Sequence, residues 1–214
     1  MSKAKAIVGA ILLLNSQLCW AGAVPQEMYW DVSSRAVKIN NSLPAACDTP
    51  SANAAATVNA IGAKFQLTGT GTWFTSTYYN ADQDPDFVNV QDASGMTAIM
   101  RTIFYYYDYP TPPDKAIDAT IAVDSSRIYY AGTSDVQQAG DFFCGSYIPA
   151  GGIGQLIDYE SAILHEFGHI MGMGHRSDGS TGPCVMTQYL PAGQIKRSFC
   201  SDESNLMLGF YGPR

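Results

Sequence analysis

The sequence predicts a mixed α+β domain in which helices and strands alternate within one compact unit. Segments rich in β-branched and aromatic residues, which are typical of strands, occur at AVKIN (36–40), TWFTSTYY (72–79), MTAIMRTIFYYY (96–107) and ATIAVD (119–124). For 96–107 the periodicity also permits a helix. Between and after them, apolar residues three and four apart predict helices. No internal repeat or low-complexity linker divides the chain after its N-terminal segment.

The N-terminal segment has the pattern of a secretory signal peptide. Lys3 and Lys5 give it a basic start, an apolar run follows, and Ala21-Gly22-Ala23 is a small-residue cleavage signature. The run is too short for a transmembrane helix, and no later stretch is apolar enough for one. We therefore expect secretion into a periplasm or the extracellular space. The predicted division is a signal peptide at 1–23, a short N-terminal segment at 24–35 and one domain at 36–214.

The charge balance of the chain is acidic. It has 12 Lys and Arg against 19 Asp and Glu, a formal net charge of -7. This balance argues against nucleic acid or an anionic membrane as a main partner, because both attract basic surfaces. We expect a monomer with a solvated, acidic surface.

Four cysteines follow the predicted signal peptide: Cys47, Cys144, Cys184 and Cys200. An even number in an exported chain favours two disulfides. Three pairings are open; a bond between Cys184 and Cys200 would close a short loop and leave Cys47 with Cys144. A cysteine zinc site is not expected, because no CxxC spacing occurs.

One helix is predicted near each end of the domain. The first runs over 53–66, with Thr49-Pro50 as a capping signal before it and Gly69 and Gly71 as its stop. The other runs over 201–211, and its inner side is predicted to carry Leu206, Met207 and Phe210. The glycine-punctuated stretch 140–154 is predicted to be irregular.

A calcium site is not indicated by the sequence. DQDPD (82–86) packs three carboxylates into five residues, and carboxylates are ligands that Ca²⁺ prefers. It lacks the glycine and the distal glutamate of an EF-hand loop, so a solvated acidic turn is the better interpretation.

All three histidines lie within HEFGHIMGMGH (165–175). The surrounding segment 158–172 has helical spacing, which places His165 and His169 one above the other on one face. Gly172 permits the helix to end in a left-handed turn, after which His175 can approach the other two. Three neutral imidazoles could then bind one ion, and Zn²⁺ accepts them at roughly 2.0–2.1 Å.

Three protein donors leave the fourth tetrahedral position of zinc to water, which is typical of a catalytic rather than a structural site. Zinc lowers the pKa of its water to about 7. Glu166 follows the first ligand directly and is predicted to take the proton as general base, then to pass it to the leaving amine. The pattern therefore predicts metal-assisted hydrolysis.

The histidine segment matches HExxHxxGxxH, the signature of the metzincin zinc peptidases. Metzincins also place a methionine turn beneath the zinc, and Met186 in PCVMTQY (183–189) lies where the family would have it. VKINNSLP, DATIAV and SDESNLMLGFYG resemble the corresponding parts of a matrixin-type catalytic domain. Arg176, directly after the third histidine, matches none of the residues that usually mark the subfamilies.

The resemblance implies a twisted, mostly parallel sheet with an antiparallel edge strand, an active-site helix and a C-terminal helix. A protein or peptide substrate would lie across a cleft between an upper and a lower half, extended and paired with an edge strand. We therefore expect a secreted zinc-dependent endopeptidase with one catalytic Zn²⁺ ion.

Several alternatives remain open at this stage. The protein could be a secreted binding or surface protein with a non-catalytic zinc site, or a processing protease with one partner. Latency could come from Cys47 acting on the zinc or from Asp31 as a carboxylate plug. Tyr189 lies three residues past Met186 and is interpreted as a wall residue without a zinc role.

Overall fold

The computed structural model supports the predicted α+β class. Its residues form both helices and strands, and two of the helices pack against strands of the largest sheet. The residues that the structure describes are 5–6, 24–25, 28–40, 43–73, 87–93, 96, 98–107, 114–124, 126–127, 129–130, 140–176 and 182–214.

The largest sheet combines parallel strands with an antiparallel strand toward one side. Its order is β1 (Lys5–Ala6), β7 (Met100–Tyr107), β8 (Asp114–Val123), β6 (Phe87–Asp92), β4 (Ser34–Asn40) and β5 (Gln66–Trp73), and β3 (Met28–Trp30) also pairs with β8. The pairs β4–β5, β4–β6 and β6–β8 are parallel, whereas β7 is antiparallel to β8. The run 119–123 of β8 is buried throughout, as expected for a strand inside a covered sheet.

Two smaller sheets lie around the histidine segment. One joins β9 (Tyr129–Tyr130), β10 (Phe142–Phe143) and β11 (Ile157–Asp158) in parallel. The other pairs β12 (Met173–Gly174) with β2 (Val24–Pro25) in an antiparallel manner. β12 falls between the second and third histidines, so the N-terminal segment borders the predicted metal site.

Three helices lie within the described residues: α1 (Asp48–Ala60), α2 (Tyr159–Ile170) and α3 (Ser201–Tyr211). A 3₁₀ turn, Ala45–Cys47, leads into α1. α1 packs against both α2 and β5. The predicted core-facing side of α2 is confirmed, since Ile163, Phe167 and Ile170 are all buried.

The predicted bounds of the first helix are wrong. It was predicted over 53–66, but α1 begins at Asp48 and ends at Ala60. Gly62 follows with φ +80, a left-handed conformation that ends a helix. Gly69 and Gly71 lie within β5 and do not end the helix. Pro50 is tolerated in the first turn because the N–H that it lacks would have no helical acceptor.

Most of the other predicted elements agree with the structure where it describes them. β4, β7 and β8 overlap the strands predicted at 36–40, 96–107 and 119–124, and the stretch 140–154 is irregular apart from the short β10. The strand predicted at 72–79 overlaps β5 at its last two residues, and 74–79 lie outside the described residues. β6 corresponds to no predicted strand. DQDPD (82–86) and nearly all of the predicted signal peptide also lie outside the described residues.

The inner side of α3 differs in part from the prediction. Met207 is fully buried and Leu206 packs on the core, but Phe210 is 37% exposed. The buried stripe contains Glu203 and Met207, four residues apart, and continues to Tyr211, which stacks on Phe65. Phe210 is wrongly predicted because this four-residue step turns it away from the stripe.

Aromatic packing holds the C-terminal end of α2. Trp30 stacks on Phe65 with ring centroids 5.8 Å apart, and Phe65 stacks on Tyr211 at 5.2 Å. The indole Nε1 of Trp30 donates a hydrogen bond to the carbonyl oxygen of Ile170 at 2.7 Å. This satisfies one of the carbonyl groups that a helix leaves without a partner at its end.

An ion-pair network holds the other end of α2. Asp158 is the N-cap and accepts from the backbone N–H of Ser161 at 3.1 Å. Arg197 binds both carboxylate oxygens of Asp158, at 2.6 and 2.9 Å, and also pairs with Glu160 at 2.9 Å. The helix that carries two of the histidines is therefore fixed at both of its ends.

The structure contains two disulfides, Cys47–Cys144 and Cys184–Cys200. Of the three open pairings, this is the one with the short local loop. The first bond ties the start of α1 to the segment after β10, and the second ties the region of Met186 to the start of α3. Among the described residues, no helix is long and apolar enough to cross a membrane.

Peptide mapping without reduction should recover these two linked pairs. Replacing Cys47 and Cys144 together by serine should lower the free energy of unfolding by about 3–5 kcal/mol, because the bond removes unfolded-state entropy. The Cys184 and Cys200 pair should cost less, about 2–3 kcal/mol, because its sequence separation is 16 rather than 97. Denaturant unfolding measures both losses. A peptide linking Cys47 to Cys184 or to Cys200 would contradict the pairing.

Candidate metal centre

α2 and the turn after it bring the three histidines together. His165 and His169 are one helical turn apart on α2, which ends at Ile170. Gly172 has φ +87, a backbone conformation that a side chain would resist. His175 follows β12 and lies beside the other two rings. The predicted left-handed turn at Gly172 is therefore present.

The three imidazoles form one compact group. One ligand nitrogen from each lies within 4.8 Å of the others. Ring centroids are 4.7 Å apart for His165 and His169, 5.1 Å for His165 and His175, and 4.8 Å for His169 and His175. A metal ion could be held between them. Among the described residues, no further His, Cys, Asp or Glu joins this group.

Backbone carbonyl groups orient two of the rings. The Nδ1 atom of His165 lies 2.8 Å from the carbonyl oxygen of Val185, and that of His169 lies 2.7 Å from the carbonyl oxygen of Met173. A carbonyl oxygen can only accept, so Nδ1 is the protonated nitrogen in both rings. The lone pair of each neutral ring is then on Nε2, which is the atom left to bind a metal.

The environment keeps the histidines neutral. The pKa of His165, His169 and His175 is lowered to about 4 in each case, mainly by burial and to a smaller extent by the charge that a neighbouring histidine would carry. Neutral imidazole is the form that binds metals. The group is therefore ready to bind a cation at neutral pH without first losing protons.

Glu166 is a buried carboxylate beside this group, with 6% of its surface exposed. Burial raises its pKa, while His169 and a hydrogen bond from Thr102 act in the opposite direction. The Oγ1 atom of Thr102 lies 2.6 Å from Oε2 of Glu166. A carboxylate whose pKa is raised toward neutrality is suited to general acid–base catalysis.

Met186 packs directly beneath the histidine helix, against Gly168. A Cβ atom at Gly168 would overlap the sulfur atom of Met186, so only glycine lets the methionine approach this closely. Glycine inside a helix costs about 0.5–1 kcal/mol relative to alanine. The close contact explains why a helix-weakening residue occupies this position.

The backbone of Met186 is fixed by groups from two other segments. Its N–H donates to Oε1 of Glu203 at 2.9 Å, and its carbonyl oxygen accepts from the N–H of Arg176 at 2.9 Å. Glu203 is fully buried and also accepts from the N–H of Cys200 at 2.8 Å. The guanidinium of Arg176 pairs with Asp202 at 2.7 Å. α3 and the segment after His175 thus hold the methionine jointly.

A buried lysine supports the next residue of the methionine segment. Lys196 is 4% exposed, and its Nζ atom donates to Oγ1 of Thr187 at 2.6 Å. Its backbone N–H donates to the hydroxyl of Ser161 on α2 at 2.6 Å. Burial lowers the pKa of Lys196, against the opposing influence of Glu203. The segment after Met186 is therefore tied to the base of α2.

The other residues considered from the sequence lie outside the histidine group. Cys47 is bonded to Cys144, so it has no thiolate to offer a metal. Asp31 and Tyr189 are exposed. The cluster of Cys184, Cys200 and Asp202 contains a disulfide, so its two cysteines offer no thiolate to a metal, and its carboxylate is paired with Arg176.

Four residues of the centre were not predicted: Thr102, Gly168, Lys196 and Glu203. Gly168 carried a local signal, because glycine is unfavourable inside a helix. The other three resemble ordinary strand, loop and helix-start residues in the sequence. Their roles arise from contacts with distant residues, such as the separation of 64 residues between Thr102 and Glu166.

Comparison with known proteins adds no family to these observations. No protein-family model matches the chain. No curated protein matches it in sequence either. The functional argument therefore rests on the arrangement itself: three neutral imidazoles that could hold a cation, next to a buried carboxylate that could accept a proton.

The metal-free protein should lose stability on acidification from pH 7 to pH 5. In the unfolded chain the histidines take up protons near their ordinary pKa of 6.5, whereas the folded pKa is about 4. The unfolded state therefore binds more protons over this range, and the stability present at higher pH is lost as pH falls from about 6.5 toward 4. The thermal midpoint should fall by roughly 10 °C, measured by calorimetry.

The double variant His165→Gln, His169→Gln is the matched control for this measurement, because it lacks two of the three titrating rings. Its midpoint should change less over the same pH range. An equal fall in parent and variant would show that other groups cause the effect.

Proposed function

We propose that the protein is a secreted zinc-dependent endopeptidase of metzincin type. The single observation that supports this most strongly is the convergence of His165, His169 and His175 within 4.8 Å, with the buried Glu166 next to the first of them. A site of purely structural purpose has no need of that carboxylate. Metal-assisted hydrolysis uses each of these groups.

Zinc is the cation that best fits the donor set. Imidazole ligands suit zinc, copper, iron and nickel, and three of them are the ligands of well-known catalytic zinc sites. A structural zinc site would be expected to have four protein ligands. Zinc held by these histidines would act as a Lewis acid toward the scissile carbonyl and the attacking water.

Glu166 is proposed as the general base. Its carboxylate accepts a proton from the attacking water and then donates that proton to the leaving amine. Its buried position raises its pKa, which makes it a better proton acceptor than an exposed carboxylate. Such a group contributes typically 10²–10⁴-fold to the rate.

The substrate proposed is an extended polypeptide paired with the edge of β7. β7 carries Thr102, which contacts Glu166, so a peptide along this strand would pass close to the base. Lys5–Ala6, which belong to the predicted signal peptide, pair with Tyr105 and Tyr106 of this strand. Removal of the signal peptide would release these strand positions for a peptide.

Secretion is supported by the cysteines. Both disulfides require an oxidising compartment to persist, and such bonds are rare in cytosolic proteins. Cleavage after Ala23 would begin the exported chain at Val24, at β2, beside the histidine segment.

Glu166→Ala and Glu166→Gln should both strongly slow hydrolysis but keep the metal. The expected fall in kcat is about 10²–10⁴-fold, because the base is lost while the three ligands remain. Turnover of an unfolded protein substrate measures activity, and elemental analysis of the purified variants measures bound zinc.

Glu160→Gln is the matched control, since Glu160 lies on the same helix and is equally buried, with 6% exposure. It should keep kcat within a few-fold of the parent, although it weakens the ion pair with Arg197. A Glu166→Gln protein that cleaves as fast as the parent would overturn the mechanism. A zinc-loaded parent that cleaves no peptide would favour the alternative of a binding protein with a non-catalytic site.

Removal of the metal should abolish activity reversibly. A chelator should reduce hydrolysis of a peptide library to background, and added zinc should restore it, because the two disulfides hold the fold around the histidines. Mass spectrometry of the products gives both activity and specificity. Persistent cleavage by chelator-treated protein of verified zero metal content would exclude a metallopeptidase.

A further inference from the structure

We infer that Thr102 positions the general base, by holding one oxygen of the Glu166 carboxylate. This inference rests on the proposed function. The hydroxyl Oγ1 lies 2.6 Å from Oε2 of Glu166 and 3.3 Å from its backbone carbonyl oxygen. A hydroxyl has one proton to donate, and the shorter contact to the charged acceptor is the stronger hydrogen bond.

The sequence of β7 places this hydroxyl in an otherwise apolar face. Met100, Thr102 and Phe104 alternate along the strand and share one side of the sheet. Met100 and Phe104 are buried, and β7 packs against α2. Thr102 is therefore the polar side chain at the point where the strand meets the helix turn that carries Glu166.

A fixed Oε2 defines which carboxylate oxygen can take part in proton transfer. With Oε2 held by Thr102, rotation of the carboxylate is restricted and Oε1 remains available to accept the proton of water. Proton transfer requires donor and acceptor within about 2.6–3.2 Å, so restricting the rotation increases the fraction of time in the productive geometry.

A neighbouring residue shows that this bond is not a general consequence of burying a threonine in the sheet. Thr120 lies on β8, is 1% exposed, and its hydroxyl has no hydrogen-bond partner among the described residues. It pairs in register with Ile103, next to Thr102. The hydroxyl of Thr120 on β8 thus has no partner among the described residues, whereas the hydroxyl of Thr102 on β7 is bonded to the proposed base.

The test compares Thr102→Val, which keeps the shape and removes the hydroxyl, with Thr102→Ser, which keeps the hydroxyl. Thr102→Val should lower kcat on the order of tenfold, because a charged partner loses its hydrogen bond. KM for the peptide and the affinity for zinc should change by less than about twofold, since ligands and binding surface are intact. Thr102→Ser should retain kcat within about threefold.

Thr120→Val is the matched control, an identical substitution on the neighbouring strand that touches no proposed catalytic group. It should leave kcat unchanged. If Thr102→Val does not fold, as judged by its thermal midpoint, Thr102→Ala compared with Thr102→Ser replaces it and carries the same expected difference in kcat.

Three results would overturn the inference while leaving the proposed function in place: parental kcat in Thr102→Val, equal losses in the valine and serine variants, or a loss explained by weaker zinc binding. The second result would indicate packing instead of hydrogen bonding. A zinc-loaded parent without any hydrolysis would overturn the proposed function and the role of Thr102 together.

Discussion

The centre depends on keeping three imidazole rings neutral while they face one another. Ring centroids 4.7–5.1 Å apart would bring strong repulsion if the rings were protonated. Burial favours the neutral form, and the carbonyl groups of Val185 and Met173 fix the proton of two rings on Nδ1. The two effects reinforce each other, because a ring that is neutral and oriented offers its remaining nitrogen to a cation. Burial also raises the pKa of Glu166, so the same physical effect favours neutral rings and a more basic carboxylate beside them.

Most of the support for these rings converges on one short segment, Val185 to Thr187. Val185 accepts from His165, Met186 packs against the glycine in the histidine helix, and Thr187 accepts from Lys196. Glu203 and a disulfide tie this segment to α3 from the other side. Successive residues therefore have different partners, and a shift of the segment would disturb both the orientation of His165 and the packing against Gly168. Such shared restraint keeps a site within the narrow range of geometry that catalysis requires.

The sequence was sufficient to predict the helix that carries the histidines, because the signals for that helix are local. α2, its core-facing side and the turn at Gly172 could be predicted because spacing of three and four residues and a helix-ending glycine are local signals. The bounds of α1 could not, because the choice among several nearby glycines depends on where β5 pairs with β4. Phe210 was wrongly placed inside because the buried stripe of α3 includes the carboxylate of Glu203, which hydropathy assigns to the surface. The disulfide pairing required the fold, since four cysteines allow three answers.

The four residues that could not be predicted share one property. Each is unfavourable at its position by the usual preferences for helix formation or for burial of apolar side chains. Gly168 weakens a helix, Thr102 interrupts an apolar strand face, and Lys196 and Glu203 are buried charged residues. In each case a distant segment supplies the compensating contact: a sulfur atom, a carboxylate, a hydroxyl or a backbone N–H. Natural proteins satisfy local rules across most of a fold and depart from them near functional sites. Here these departures lie around HEFGHIMGMGH in the fold, and three of the four become recognisable only when their distant partners are known.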